Sequence, residues 1–108
     1  MSDLTFEQMH AMQAQLHEKY KDKWRPLSPS IGRDKLLWMM AEMGEVADII
    51  KKQGDEKIMQ DAAVREHFIE EMADTLMYFN DVCRCYCITP DELARTYIAK
   101  HEKNLGRW

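Results

Sequence analysis

The chain has 108 residues and a formal net charge of −4, a length that fits one domain rather than two. The acidic balance argues against a non-specific grip on a nucleic-acid backbone. No apolar run approaches the ~20 residues of a membrane span, and no signal-peptide pattern opens the chain. Four Gly and three Pro among many Met, Leu, Ala, Glu and Lys residues favour helix over strand, so the expected class is all-α. Three cysteines clustered at Cys83, Cys85 and Cys87 do not form a disulfide framework, and the expectation is a reduced, cytoplasmic protein. A domain this small buries a modest share of its surface, which favours self-association.

Turn and cap signals divide the chain into four main helices. The first is expected to start near Thr5, where Thr5 and Gln8 have capping-box spacing and Leu4 can staple to Met9. Phe6, Met9, Leu16 and Tyr20 keep helical spacing, and the segment Trp24 to Pro29 breaks the helix. Ser30 is the expected N-cap of the second helix. It runs to Lys51 and Lys52 and stops before Gly54, with cations in the last turn and glycine beyond. Residues 55–60 form a polar connector with room for one short helical turn. Asp61 caps a third helix that reaches about Tyr86. Thr89, Pro90 and Glu92 give the clearest start signal, with Ile88 and Leu93 as its staple, for a fourth helix ending near Lys103 before Gly106.

The acids fall on unusual faces. At 100° per residue, Leu36, Met40, Met43, Ala47 and Ile50 form one stripe of the second helix, the pattern of a core face. Glu42 and Glu45 lie opposite, about 60° apart, flanked by Trp38 and Ile49 with Val46 and Met39 nearby. A helix apolar on two sides is buried on two sides. On the third helix, Phe68, Met72, Leu76, Phe79, Cys83 and Tyr86 form the core stripe, while Glu71, Asp74 and Asp81 gather on another face with Tyr78 and Cys85. Each helix thus offers an i,i+3 pair of acids pointing one way. Four ionised carboxylates brought together repel and desolvate one another, and a divalent cation removes that problem. An all-oxygen set selects Mg²⁺ or Mn²⁺ over zinc, and Mg²⁺ takes phosphate oxygens as further ligands. The same spacing also occurs in ordinary solvated helix faces. Two other patterns are weaker. Of the three cysteines only Cys83 and Cys87 share a helix face, with no histidine to complete a zinc set, and Glu7-x-x-His10 occurs once where a di-iron bundle needs it twice.

Glu42-Met-Gly-Glu45 followed by Glu71-Met-Ala-Asp74 resembles the E-x-x-E…E-x-x-D signature of the all-α nucleotide pyrophosphohydrolases, the superfamily of MazG, the dCTP pyrophosphatases and the dimeric dUTPases. The likeness continues through "EEMADTLMYFNDV" (70–82) and the closing "KHEKNLGRW" (100–108), and covers roughly residues 24–108. It implies a four-helix-bundle-type fold with its active site between the second and third helices, assembled as a homodimer or homotetramer. The implied reaction is hydrolysis of a nucleoside triphosphate between its α and β phosphates, by water activated with Mg²⁺, Mn²⁺ being a substitute. Carried over by position, Glu42, Glu45, Glu71 and Asp74 are metal-binding acids, and Glu42 or Glu45 also orients or deprotonates the attacking water. Asp81 is an accessory ligand. Lys100, Lys103, Asn104 and Arg107 contact the substrate phosphates, and Lys51 is a looser match to a basic position of relatives. Trp24, Trp38 and Tyr78 could stack on a base, Trp38 foremost, and His17 or Asn80 could read its edge; core or surface roles suit each of them too. No Walker A loop is present, so this is not a P-loop enzyme. The competing expectations are a helical regulatory module without turnover, and hydrolysis of another pyrophosphate such as phosphoribosyl-ATP.

Overall fold

The computed structural model describes residues 3–108, which form five helices: α1 (Phe6–Lys19), α2 (Pro29–Gln53), α3 (Asp55–Gln60), α4 (Ala62–Cys85) and α5 (Pro90–Leu105). Local chemistry explains most boundaries. Thr5 and Thr89 each close a capping box, with Gln8 and Glu92 as the reciprocal partners. The Asp61 carboxylate accepts from the amides of Ala63 at 3.0 Å and Val64 at 3.3 Å, starting α4. The second-helix start differs from expectation. Ser28, not Ser30, is the N-cap, its hydroxyl accepting from Ile31 N–H at 3.2 Å. Pro29 then takes the first helical position, where its missing N–H has no partner to lose. The connector 55–60 is a helix of six residues, α3, which buries Ile58.

The seam between α2 and α4 is the most extensive contact in the chain; α3 closes one end of it, and α1 lies against α4. Among the helices, α5 touches α1 alone, at its first turns, where Pro90, Asp91 and Ala94 border Leu4 to Glu7. The second half of α5 stands away from the rest, with Tyr97, Ile98 and Leu105 exposed.

The core stripes expected from periodicity are the main correction. Ile31 and Ile49 of α2 and Cys83 and Cys85 of α4 are buried, whereas Leu36, Met40, Met43, Ile50, Met72, Leu76 and Tyr86 are exposed. Both helices are apolar on two sides, and the side carrying the acids is the one turned toward the other helix. The wider apolar stripe faces outward, with Leu37 63 % and Met40 59 % exposed. The accessible surface, 8484 Å², exceeds the roughly 6,300 Å² of a compact monomer of this mass. The radius of gyration is 16.3 Å against about 13 Å for a compact chain of this length. Among the described residues, no helix is long and apolar enough to cross a membrane.

One glycine fixes how closely α2 approaches the end of α4. A Cβ on Gly32 would lie 2.6 Å from Tyr86 Cε2 and 3.0 Å from Cys85 Cβ. In an open helix Gly→Ala gains up to ~1 kcal/mol. Here Gly32→Ala is expected to cost about 1–3 kcal/mol through overpacking, read as a lower urea midpoint; a raised midpoint would contradict this packing.

Candidate metal and phosphate site

The length of the α2–α4 seam brings three of the expected acids together. Glu42 comes from the middle of α2, and Glu71 and Asp74, one turn apart, come from α4. One carboxylate oxygen from each lies within 4.8 Å of the other two. In the same turn the Thr75 hydroxyl donates back to the Glu71 main-chain carbonyl at 3.0 Å. Among the described residues this is the one group of carboxylate, imidazole or thiol side chains able to share a cation. The cysteines do not join it: Cys83 and Cys85 are buried thiols and Cys87 is exposed.

The crowding has an electrostatic signature. The Glu42 carboxyl is held above its ordinary value of 4.5, first by hydrogen bonding with the Glu71 carboxyl and then by burial. The fields of Glu71, Asp74 and Glu45 add to it. Hard oxygen donors, unrelieved like charge and partial burial fit Mg²⁺ or Mn²⁺. Glu45 is exposed, one turn further along α2 and outside the three-oxygen group, but close enough for its charge to act on Glu42.

A cleft of about 490 Å³ opens beside the acids, with Glu42 and Asp74 on one wall. Trp38 and Tyr78 meet edge to face across it, ring centroids 6.4 Å apart. The Lys35 ammonium sits 5.6 Å from the Trp24 ring and 6.0 Å from the Tyr78 ring, an arrangement that favours a cation over aromatic faces. Burial pushes the Tyr78 phenol up from its ordinary value, and the charges of Glu42, Asp74 and Asp81 add to it. The phenol therefore stays a hydrogen-bond donor throughout the neutral range.

Asp81 lines the same cleft as Glu42 and Asp74 but lies outside the three-oxygen group and is already engaged. It accepts from Gln13 Nε2 at 2.9 Å and Lys35 Nζ at 3.1 Å, with Arg84 at 3.7 Å. A carboxylate compensated in this way anchors cations and α1. The other expected positions are separated from the acids. Lys51 is exposed in the last turn of α2. Lys100, Lys103 and Arg107 are exposed at the far end of α5, Arg107 stacking on Trp108, and Asn104 is half-buried. None of the four lines the cleft. Trp24 and His17 do line it, while Asn80 is buried and does not.

Gln13, Lys35 and Arg25 line the cleft too and were not singled out in the sequence. A signal for Lys35 existed, since residues 35, 38, 42 and 49 share one face of a helix. Arg25 is steadied by Asp34 at 2.7 Å. Comparison with protein-family models, with curated proteins and with solved structures finds no match.

A raised carboxyl value fixes the direction of the pH dependence. Between about pH 4.5 and the raised value the folded state binds more proton at Glu42 than the unfolded chain does, so the group's penalty grows as pH rises across that interval. Glu42→Gln is therefore expected to raise the melting temperature of metal-free protein at neutral pH, by roughly 2 °C, and to flatten its fall above the ordinary value of 4.5. A lower melting temperature at neutral pH would contradict the like-charge account.

Proposed function

We propose that this chain is a Mg²⁺-dependent nucleotide pyrophosphohydrolase of the MazG-like and dCTP-pyrophosphatase-like kind, cleaving a nucleoside triphosphate to the monophosphate and pyrophosphate. The observation that carries the reading is the convergence of Glu42, Glu71 and Asp74 from two helices on one point beside an aromatic cleft. These three acids belong to the paired motif in which the sequence resembles that superfamily. Glu45 is the fourth acid of the motif, adjacent on α2.

Mg²⁺ bound by these carboxylates would neutralise charge on phosphate oxygens and help ionise the attacking water. The chain's own residues supply the rest. Glu42 or Glu45 orients the water or takes its proton. Trp24, Trp38 and Tyr78 offer ring faces to a flat base, and Tyr78 adds a phenol donor. Lys35 and Arg25, each steadied by an aspartate, put positive charge at the cleft. Such a reaction needs positioning and charge neutralisation more than covalent chemistry.

The reading includes self-association, as a homodimer or homotetramer. The outward apolar stripe of α2 and α4 and the excess surface suit a second copy of the chain. The tail cations Lys100, Lys103 and Arg107 stand away from the acids of their own chain. In an assembly they are available to a neighbour's substrate. That same separation is the observation favouring the second reading, a helical interaction module without turnover.

Pyrophosphate release from a panel of nucleoside triphosphates, with and without Mg²⁺, tests the reaction. The expected result is metal-dependent release that Glu42→Gln and Asp74→Asn each lower by at least about a hundredfold, with helicity by circular dichroism unchanged. Silence with every triphosphate from a folded sample would overturn the proposal, and release from phosphoribosyl-ATP alone would reassign the substrate.

A further inference from the structure

Helix α1 is docked in an unusual way. Its buried residues are His10 and Gln13, while its apolar Met12 and Leu16, and Leu4 just before it, are exposed. Phe6, Met9 and Tyr20 are half-buried. The contacts that fasten it to α4 are accordingly polar or sulfur-centred. Gln13 donates to Asp81 at 2.9 Å, and the Asn80 amide donates to the Met9 sulfur at 3.3 Å. Beside them the His10 ring lies against Asn80, whose residue is 2 % exposed. His10 Nε2 and Asn80 Oδ1 are both buried without an aligned hydrogen bond. Asn80 is near enough to favour a charged ring, but an unaligned contact returns little of the desolvation cost of the polar groups it buries. A helix held in this manner is drawn from the low-stability end of a fold. The same helix contributes Gln13, and His17 beyond it, to the wall of the cleft.

We infer that α1 is a detachable wall of the cleft, fastened to α4 by a polar clasp that releases when His10 is protonated. The charged groups facing His10 come from α4: Arg84 opposes a positive imidazole and Asp81 favours it. Asp81 is already engaged by Lys35, Gln13 and Arg84, so little of its charge remains for a second cation. The helix α5 meets α1 closer to its start, where Asp91 and Glu7 border a separate groove. Burial, the largest influence on the ring, outweighs the Asn80 contact, and the His10 value lies below its ordinary 6.5. The docked helix therefore binds fewer protons than the released one, and docking weakens as pH falls below 6.5 and through the docked value. Release separates Gln13 from Asp81 and moves one wall of the cleft. This inference concerns the free chain and stands apart from the reaction proposed above.

Hydrogen exchange read by mass spectrometry, corrected for the intrinsic pH dependence of exchange, tests it at about pH 7.5 and about pH 5. The expected result is loss of α1 protection at the lower pH, severalfold and bounded at about thirtyfold by the ordinary histidine value. Amides in the middle of α4 keep theirs, and His10→Gln abolishes the difference. If the glutamine variant does not fold, His10→Asn makes the same neutral replacement with a smaller side chain. Unchanged α1 protection, equal loss from α1 and α4, or a neutral variant that still responds to pH would each overturn the inference.

Discussion

Like charge gathered at the α2–α4 seam is the constraint on which the rest of this structure turns. The seam is the chain's largest internal contact, yet its middle is occupied by Glu42, Glu71 and Asp74 with oxygens inside 4.8 Å of one another. Apolar contact must then come from either side of the acids, from Ile31 and Ile49 on α2 and from Cys83 and Cys85 on α4. A fold optimised for stability alone would not place unrelieved carboxylates there. Their presence argues for a ligand that supplies the missing positive charge.

The same constraint shapes the surface. With one face of each long helix given to the acids, most of the opposite apolar stripe has no partner in its own chain. Leu36, Met40, Met43, Met72 and Leu76 face outward, and the total surface is larger than a monomer of this mass ordinarily shows. Acids along the seam and an apolar stripe turned outward are two consequences of one division of helix faces. The thin core also explains why α1 is fastened by polar side chains and why α5 leaves its second half uncovered.

Most of the elements were legible because their ends are chemically explicit. Thr5, Asp61 and Thr89 cap the helices they were expected to cap. The second start lies two residues before the expected Ser30, because Ser28 and Ser30 flank Pro29 and the proline's preference for the first helical turn decides between them. Periodicity identified the faces correctly but not their destinations. A stripe of Leu and Met has the same spacing whether it meets its own chain or a second one. For the candidate site, i,i+3 spacing grouped Glu42, Glu45, Glu71 and Asp74; three of them meet, and Glu45 stays outside the three-oxygen group. Spacing could not show that Asp81, on the same helix face in sequence, has its oxygens held by Lys35 and Gln13, residues distant along the chain. Nor could it locate Lys100, Lys103 and Arg107, because the direction of α5 depends on tertiary contacts that no local signal encodes.

The central claim is that the seam is built around a hard divalent cation, and Mn²⁺ binding measured by electron paramagnetic resonance tests it most directly. The account predicts a saturable class of bound Mn²⁺, displaced by Mg²⁺, that disappears in Glu71→Gln while the helical circular dichroism spectrum is retained. Binding that persists undiminished in Glu71→Gln, or the absence of saturable binding in the unaltered chain, would contradict it.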